Sequence, residues 1–286
     1  MEKRMLKPAE ICDEIIDVYE HKANYPILKS MILGILAGAF IALGGFAAAV
    51  SSHSIDNYGL SKLVSGAVFP VGLIMVLIAG ADLFTGNILL TVPFTEGKIK
   101  LKMLLKNWTI IYLSNFIGAL LVALLLYNAG ALDGNSYKIG GYALKVAITK
   151  ASISPMKALF SGILCNFLVC LAVWLSLAAK DIIGKVFAIW FPIMAFIVGG
   201  FEHSVANMYY FSIGFLAKNN VDYANSLHIT QEKLDHINLQ DVIFNNMIPV
   251  TIGNIIGGGI LIGIGFWIAF KYTAKPKSIN VERSSM

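Results

Sequence analysis

Six long apolar runs constrain this chain more than any other feature of its sequence. A transmembrane helix needs about 20 predominantly apolar residues to cross roughly 30 Å of hydrocarbon. Runs of that kind with few charges cover 28–50, 63–90, 108–127, 155–179, 186–216 and 247–270. Hydrophobic residues make up 57% of the chain and charged residues 14%, which is outside the usual range of a water-soluble domain. The sequence therefore predicts an all-α membrane protein with six transmembrane helices.

Positive charge is unevenly distributed over the segments between these runs. Fifteen of the 22 Lys and Arg residues fall in the N-terminal segment, the loops near 98–106 and 180–185, and the tail. Because Lys and Arg concentrate in cytoplasmic loops, both termini are expected in the cytoplasm, in a prokaryotic cytoplasmic membrane. The same rule accounts for the net charge of +5, so a nucleic-acid partner is not indicated. The first residues lack the short apolar core of a cleaved signal peptide.

Segment 1–27 has the pattern of an amphipathic helix. Ile11, Ile15, Val18 and Tyr19 fall on one helical face, acidic residues occupy the opposite face, and Pro8 is suited to a helix start. We expect a cytoplasmic helix that either packs against the bundle, the commoner role, or gates its inner mouth.

An internal repeat relates the two halves of the sequence. FPVGLIMVLIAGADLFTGN at 69–87 recurs as FPIMAFIVGGFEHSVAN at 191–207. The neighbouring runs also match, with GIL at 34–36 and 162–164, and NFIG at 115–118 with NIIG at 254–257. Runs one to three thus map onto runs four to six. Because three is an odd number, the second copy is predicted to cross the membrane in the opposite direction.

This repeat divides the chain into five segments. We expect the cytoplasmic helix at 1–27, a first transmembrane repeat at 28–127, an extracytoplasmic connection at 128–154, a second repeat at 155–270 and a cytoplasmic tail at 271–286.

Polar residues and glycines interrupt the second and fifth runs at matching positions. GADLFTGN and GGFEHSVAN are the pattern of discontinuous helices near the bilayer midplane. Irregular backbone is tolerated there only where protein or a water-filled cavity satisfies it, which favours a pore. Asp82 and Glu202 follow the glycines, and we expect them mainly to cap the broken helices by accepting backbone N–H bonds.

These residues resemble the formate/nitrite transporter family. LIAGADLFTG at 77–86 and GILCNFLVCLA at 162–172 are similar to two family signatures, and GFEHSVANM and NNMIPVTIGNIIGG extend the likeness over nearly the whole chain. The resemblance implies an aquaporin-like protomer, a homopentamer with one pore in each protomer, and passage of small monovalent anions or their conjugate acids. Formate, nitrite and hydrosulfide are such solutes. No enzyme activity, metal or cofactor is expected.

The resemblance also implies roles for individual residues, carried over by position. The substrate pathway would contain His203, Thr85, Lys150, Asn166 and Asn254. The apolar constrictions would contain Phe69, Leu73, Leu83, Phe84 and Phe196.

His203 carries the sharpest of these hypotheses. An ionisable side chain within a span is a functional candidate because its burial is costly, although it can be a satisfied core residue. Protonating a carboxylate of pKa about 4 at pH 7 costs about 4 kcal/mol, less than dehydrating a bare anion in the idealised limit. We therefore expect His203 to assist protonation or to relay a proton. Lys150 would attract the anion, unless it is only a solvated residue flanking a span.

Three other interpretations remain. A strictly proton-coupled symporter of short monocarboxylates such as acetate or lactate would use the same residues. A membrane enzyme is disfavoured, because the spans lack an Asp-rich pair, an HExxH motif and a Ser/His/Asp set. A signalling or structural protein does not explain two polar interruptions at matching positions.

Overall fold

The computed structural model of this chain describes residues 4–273, and every regular element in that range is a helix. Most of the predicted cytoplasmic tail, residues 274–286, lies outside the described residues. Six helical segments are long and apolar enough to cross a membrane: Ile27–Ser52, Tyr58–Ala79, Leu101–Asn128, Pro155–Ala178, Ile182–Gly199 and Asp241–Tyr272. The predicted all-α membrane fold with six spans is therefore confirmed.

The chain forms fourteen α-helices over residues 4–273. In order they are α1 (Pro8–Ala23), α2 (Ile27–Ser52), α3 (Tyr58–Val68), α4 (Val71–Ala79), α5 (Phe84–Asn87), α6 (Thr91–Thr95), α7 (Leu101–Asn128), α8 (Lys138–Ala151), α9 (Pro155–Ala178), α10 (Ile182–Gly199), α11 (Ser204–Ala217), α12 (Val221–Ser226), α13 (Gln231–Leu234) and α14 (Asp241–Tyr272). A 3₁₀ turn, Ile88–Leu90, joins α5 to α6. Three stretches of α14 are π-helical: Asp241–Met247, Ile256–Ile264 and Ile268–Tyr272.

Helix α1 is docked against the bundle along its apolar face. Pro8 opens the helix, and the carboxylate of Glu10 accepts a hydrogen bond from the Lys7 N–H at 2.8 Å. The buried residues of α1 are Ile11, Cys12, Ile15, Ile16 and Tyr19. The Tyr19 hydroxyl donates a 3.0 Å hydrogen bond to the carbonyl of Gly86, a residue of α5. Helix α1 thus supports the short helix that follows the interruption of the second span.

Glycines allow the outer helices of each half to approach closely. A Cβ added to Gly118 on α7 would overlap the Ile35 carbonyl of α2, and one added to Gly257 on α14 would overlap the Ile163 carbonyl of α9. Each glycine lies three residues after an asparagine of the repeat. In a membrane, such small residues let backbones pack at distances that larger side chains prevent.

Gly118→Ala tests this close approach. We expect the unfolding free energy in detergent to fall by about 1–3 kcal/mol, because the new methyl meets a backbone carbonyl that cannot rotate away. Thermal unfolding of the purified protein measures the change. Gly265→Ala is the control, since its Cβ would meet nothing closer than 3.8 Å. Equal unfolding midpoints for the two variants would contradict the packing argument.

Candidate pore

The second and fifth transmembrane segments are both interrupted by four residues. Helix α4 ends at Ala79 and α5 begins at Phe84, while α10 ends at Gly199 and α11 begins at Ser204. Each interruption opens with a left-handed glycine, Gly80 at φ 81° and Gly200 at φ 70°. Glycine adopts this conformation without steric cost, which makes it the usual residue at such a helix end. The repeat in the sequence therefore corresponds to two matching breaks in the structure.

Asn115 on α7 satisfies the backbone around the first break. Its Nδ2 donates to the carbonyls of Gly34 at 2.7 Å and Asp82 at 3.0 Å, and its Oδ1 accepts the Phe84 N–H at 2.8 Å. The side chain is fully buried. One side-chain amide thus pairs three backbone groups by direct hydrogen bonds within the protein.

Asn254 on α14 makes the same three bonds at the second break. Its Nδ2 donates to Gly162 at 2.8 Å and Glu202 at 3.0 Å, and its Oδ1 accepts the Ser204 N–H at 2.9 Å. Asn254 was predicted to line the substrate pathway, but its amide is committed to backbone groups. Asn166 bridges the halves, because its Nδ2 donates to the Asn254 carbonyl at 2.8 Å and to the Thr85 carbonyl at 3.2 Å.

A hydrogen bond between Thr85 and His203 joins the two breaks. The Thr85 Oγ1 lies 2.9 Å from the His203 Nε2, and the two residues are 0% and 3% exposed. His203 is also the N-cap of α11, where its Nδ1 accepts the Ala206 N–H at 3.0 Å. Because a backbone N–H can only donate, a neutral His203 carries its proton on Nε2 and donates it to Thr85. The two predicted central residues therefore meet, with a defined tautomer.

Two of the predicted constriction residues cover one side of this hydrogen bond. The rings of Phe69 and Phe196 pack edge to face with centroids 5.6 Å apart. Phe196 also stacks on the His203 imidazole at 5.8 Å and an interplanar angle of 19°. Both phenylalanines are 1% exposed. An apolar pair thus lies directly beside the polar centre.

The other three predicted constriction residues are also buried. Leu73 lies on α4, four residues beyond Phe69. Leu83 and Phe84 belong to the first break, where Leu83 precedes α5 and Phe84 packs edge-on against Tyr112 with centroids 4.9 Å apart. Phe84 is therefore tied to α7 through its ring as well as through its backbone N–H.

The acidic residues of the breaks pair with lysines. Glu202 Oε1 lies 2.9 Å from the Lys150 Nζ, and its Oε2 accepts from Asn207 at 2.7 Å and Asn246 at 2.9 Å. Asp82 Oδ1 forms an ion pair with the Lys22 Nζ at 2.6 Å, and neither oxygen of this carboxylate has a geometrically aligned hydrogen bond within residues 4–273. A buried carboxylate needs a cation because desolvation is expensive.

These pairs correct the expectation that Asp82 and Glu202 cap the broken helices. No backbone N–H of the described range donates to either carboxylate. The capping acceptors are Asn115, Asn254 and His203, which reach the orphan N–H groups from neighbouring helices or from the N-cap itself.

Lys22 is a site residue that the sequence prediction omitted. It precedes the start of α2 at Ile27 by five residues, as Lys150 precedes the start of α9 at Pro155. The backbone carbonyls of the two lysines accept matching bonds, from Asn107 at 3.4 Å and from Asn246 at 3.0 Å. The repeat thus extends to α1 and α8, and this equal spacing was the available signal.

A cavity of about 520 Å³ leads to His203 from the Lys150 side of the protein. We call it the vestibule. It is lined by residues of α3, α8, α10 and α11, by the second break, and by the end of α2 with the loop that follows it. Among these residues are Ser52, Lys62, Lys150, Phe196, Glu202 and His203. The polar side chains of the vestibule therefore adjoin Phe196 of the phenylalanine pair and His203 of the Thr85–His203 hydrogen bond.

The chain has six spans, two breaks whose backbone groups are paired by the asparagine clamps of Asn115 and Asn254, and a buried polar centre beside a cavity. These features define an integral membrane protein of the channel and transporter class. The family model described as formate/nitrite transporter matches residues 9–268. The chain belongs to the formate/nitrite transporter family.

Similar proteins extend over nearly the same range. The formate channel FocA of Escherichia coli strain K12 is 35% identical over 270 residues, covering 93% of this chain and 95% of that protein. The uncharacterized transporter YrhG of Bacillus subtilis is 42% identical, covering 92% and 93%. A solved structure of a pentameric formate channel with formate bound has TM-score 0.80 and 32% identity, covering 85% and 97%. An FNT family ion channel has TM-score 0.76 and 30% identity, covering 91% and 98%.

Asn254→Ala tests the asparagine clamp. The change removes three buried hydrogen bonds and leaves the Ser204 N–H without its acceptor, so we expect the unfolding free energy to fall by about 3 kcal/mol. Thermal unfolding in detergent measures the loss. Asn128→Ala is the control, because Asn128 is exposed and donates only to its own helix at Leu124. A midpoint for Asn254→Ala equal to that of the control would exclude the clamp.

The pair of Lys22 and Asp82 can be tested by a double-mutant cycle. Lys22→Met leaves a buried carboxylate without a cation, and we expect a loss of about 3 kcal/mol in unfolding free energy. Adding Asp82→Asn removes the charge and should restore part of that loss. The measurement is the unfolding midpoint of the two single variants and the double variant. Additive losses would mean that the two residues do not interact.

Proposed function

We propose that this protein is a channel for small monovalent anions of weak acids, with formate as the first solute to test. The observation that carries the proposal is the Thr85–His203 hydrogen bond, which joins both breaks at the inner end of the vestibule. Strictly proton-coupled symport is not favoured, since the E. coli relative and both solved structures are named channels.

The proposed pathway passes from a charged entrance to an apolar centre. Lys150 is held at the wall of the vestibule by Glu202, and the phenylalanine pair follows. Moving a bare anion out of water into such a region costs several kcal/mol even after relaxation, and up to about 20 kcal/mol in the idealised limit. Protonating a carboxylate of pKa about 4 at pH 7 costs about 4 kcal/mol. Crossing as the neutral acid is therefore the route that we propose.

The tautomer of His203 refines its proposed role. The Nε2–H is the one donor of the neutral ring, because Nδ1 accepts the Ala206 N–H. For Nε2 to donate a hydrogen bond to the solute, the solute needs only to replace the Thr85 hydroxyl as the acceptor. Giving up the proton entirely requires Nδ1 to gain one, which breaks the N-cap bond. We therefore propose that His203 first binds the solute as a hydrogen-bond donor and relays a proton only with a change at the N-cap.

The proposed assembly is a homopentamer with one pore in each protomer. The pentameric structural relative supports this stoichiometry. We further propose that the two repeats run in opposite directions, with α1 in the cytoplasm and the segment 128–154 outside. The matching clamps of Asn115 and Asn254 support such a relation between the halves.

Flux through His203 variants tests the proposed role. Purified protein in liposomes is assayed for uptake of formate, nitrite, hydrosulfide, acetate and lactate between pH 5 and 8. We expect formate uptake to rise toward low pH and to fall at least about tenfold in His203→Phe, which loses a donor to a charged group. His203→Gln keeps an N–H donor without a titratable ring.

The flux through the His203→Gln variant separates a hydrogen-bonding role of His203 from a proton-relay role. Formate flux retained in Gln and lost in Phe indicates a donor, whereas loss in both indicates a relay. Thr85→Ser is the matched control and should conduct normally. Undiminished, pH-independent flux in His203→Phe would refute the assignment.

A further inference from the structure

The charges of the vestibule are not equally available to a solute. Three lysines line the cavity, Lys62, Lys145 and Lys150, together with the carboxylates of Asp56 and Glu202. At neutral pH these five groups carry one net positive charge. Which lysine supplies it depends on the contacts that each one already makes.

Lys150 is already neutralised. Its Nζ lies 2.9 Å from the Glu202 carboxylate, whose other oxygen accepts two asparagine amides. Breaking this pair to bind a solute would leave the 6% exposed Glu202 without its cation. Lys150 therefore belongs to a fixed polar wall.

Lys145 and Asp56 lie at the rim of the cavity, where both are exposed to solvent. Exposed charges are screened by water and salt, so neither can fix a small ion at one position.

Lys62 differs from all of these groups. It is half-buried, and no carboxylate of residues 4–273 lies within salt-bridge distance of its ammonium group. The Nζ lies 5.7 Å from the centroid of the exposed Tyr58 ring. It also reaches the second break, since a Cβ built on Gly200 would be only 3.4 Å away. The ammonium group therefore has weak partners that an anion can replace.

The position of Lys62 on α3 connects it to the constriction. Phe69 follows seven residues later, which places both on the same side of the helix and about 10 Å apart along its axis. An anion beside the Lys62 ammonium group would thus lie in the same cavity as Phe196 of the phenylalanine pair.

We propose that Lys62 is the residue that binds the incoming anion in the vestibule, before the phenylalanine pair, while Lys150 stays paired with Glu202. The proposal rests on the anion channel function proposed above. It makes Lys62 a positioning residue for entry, and it predicts an effect on apparent affinity that exceeds the effect on maximal rate.

Uptake of isotope-labelled formate by proteoliposomes tests the role of Lys62. We expect Lys62→Gln to raise the half-saturating formate concentration about fivefold, with maximal rate changed less than about twofold, and to weaken the dependence of uptake on ionic strength. Lys62→Arg should restore both properties. Lys145→Gln is the matched control, since it removes a lysine from the rim of the same cavity and should resemble wild type.

The outcomes separate this inference from the function on which it rests. Wild-type uptake with identical saturation curves for Lys62→Gln and Lys145→Gln would overturn the role of Lys62 alone. Absence of wild-type formate uptake would overturn both proposals. If Lys62→Gln does not elute as wild-type oligomer, Lys62→Met is used, and a wild-type saturation curve in that variant would likewise overturn the role.

Discussion

Backbone amides and carbonyls cannot remain unpaired inside a bilayer, and a broken transmembrane helix creates several of them. Asn115 and Asn254 meet this constraint with three hydrogen bonds each, all between 2.7 and 3.0 Å. Each amide bonds to a carbonyl within the break, to the first N–H of the helix that follows the break, and to a carbonyl of a neighbouring long helix. The remaining features depend on these bonds, because they pair backbone groups that each break leaves outside the helical hydrogen-bond pattern.

The two breaks bring polar side chains together in the buried interior of the protein. Thr85 and His203 meet there, and Asn166 ties the Thr85 carbonyl to the Asn254 carbonyl. On the Lys150 side, these polar groups adjoin the vestibule, with its volume of about 520 Å³, and the Phe69–Phe196 pair. This order of surfaces is suited to a solute that is attracted as an anion and crosses the apolar region as a neutral molecule.

The spans and breaks could be predicted from sequence because both are local properties. Apolar runs encode the six spans, and a glycine followed by polar residues encodes each interruption. The roles of Asp82 and Glu202 could not be predicted in this way, since local capping rules ignore the asparagines that approach from α7 and α14. Helix α8, which lies in the segment described only as an extracytoplasmic connection, was also not predicted from the sequence. Lys22, the partner of Asp82, was not predicted as a site residue. Their importance comes from contacts between distant segments, although the equal spacing of Lys22 and Lys150 before their spans was visible.

The position of a bound permeant ion would show whether the two breaks form the binding site together. Diffraction from crystals of the full-length protein soaked in formate would locate the ion relative to both breaks. We expect density within about 2.7–3.2 Å of the His203 Nε2, in place of or beside the Thr85 hydroxyl. Formate bound only between protomers, with the Thr85–His203 hydrogen bond intact and no density between the two breaks, would contradict it.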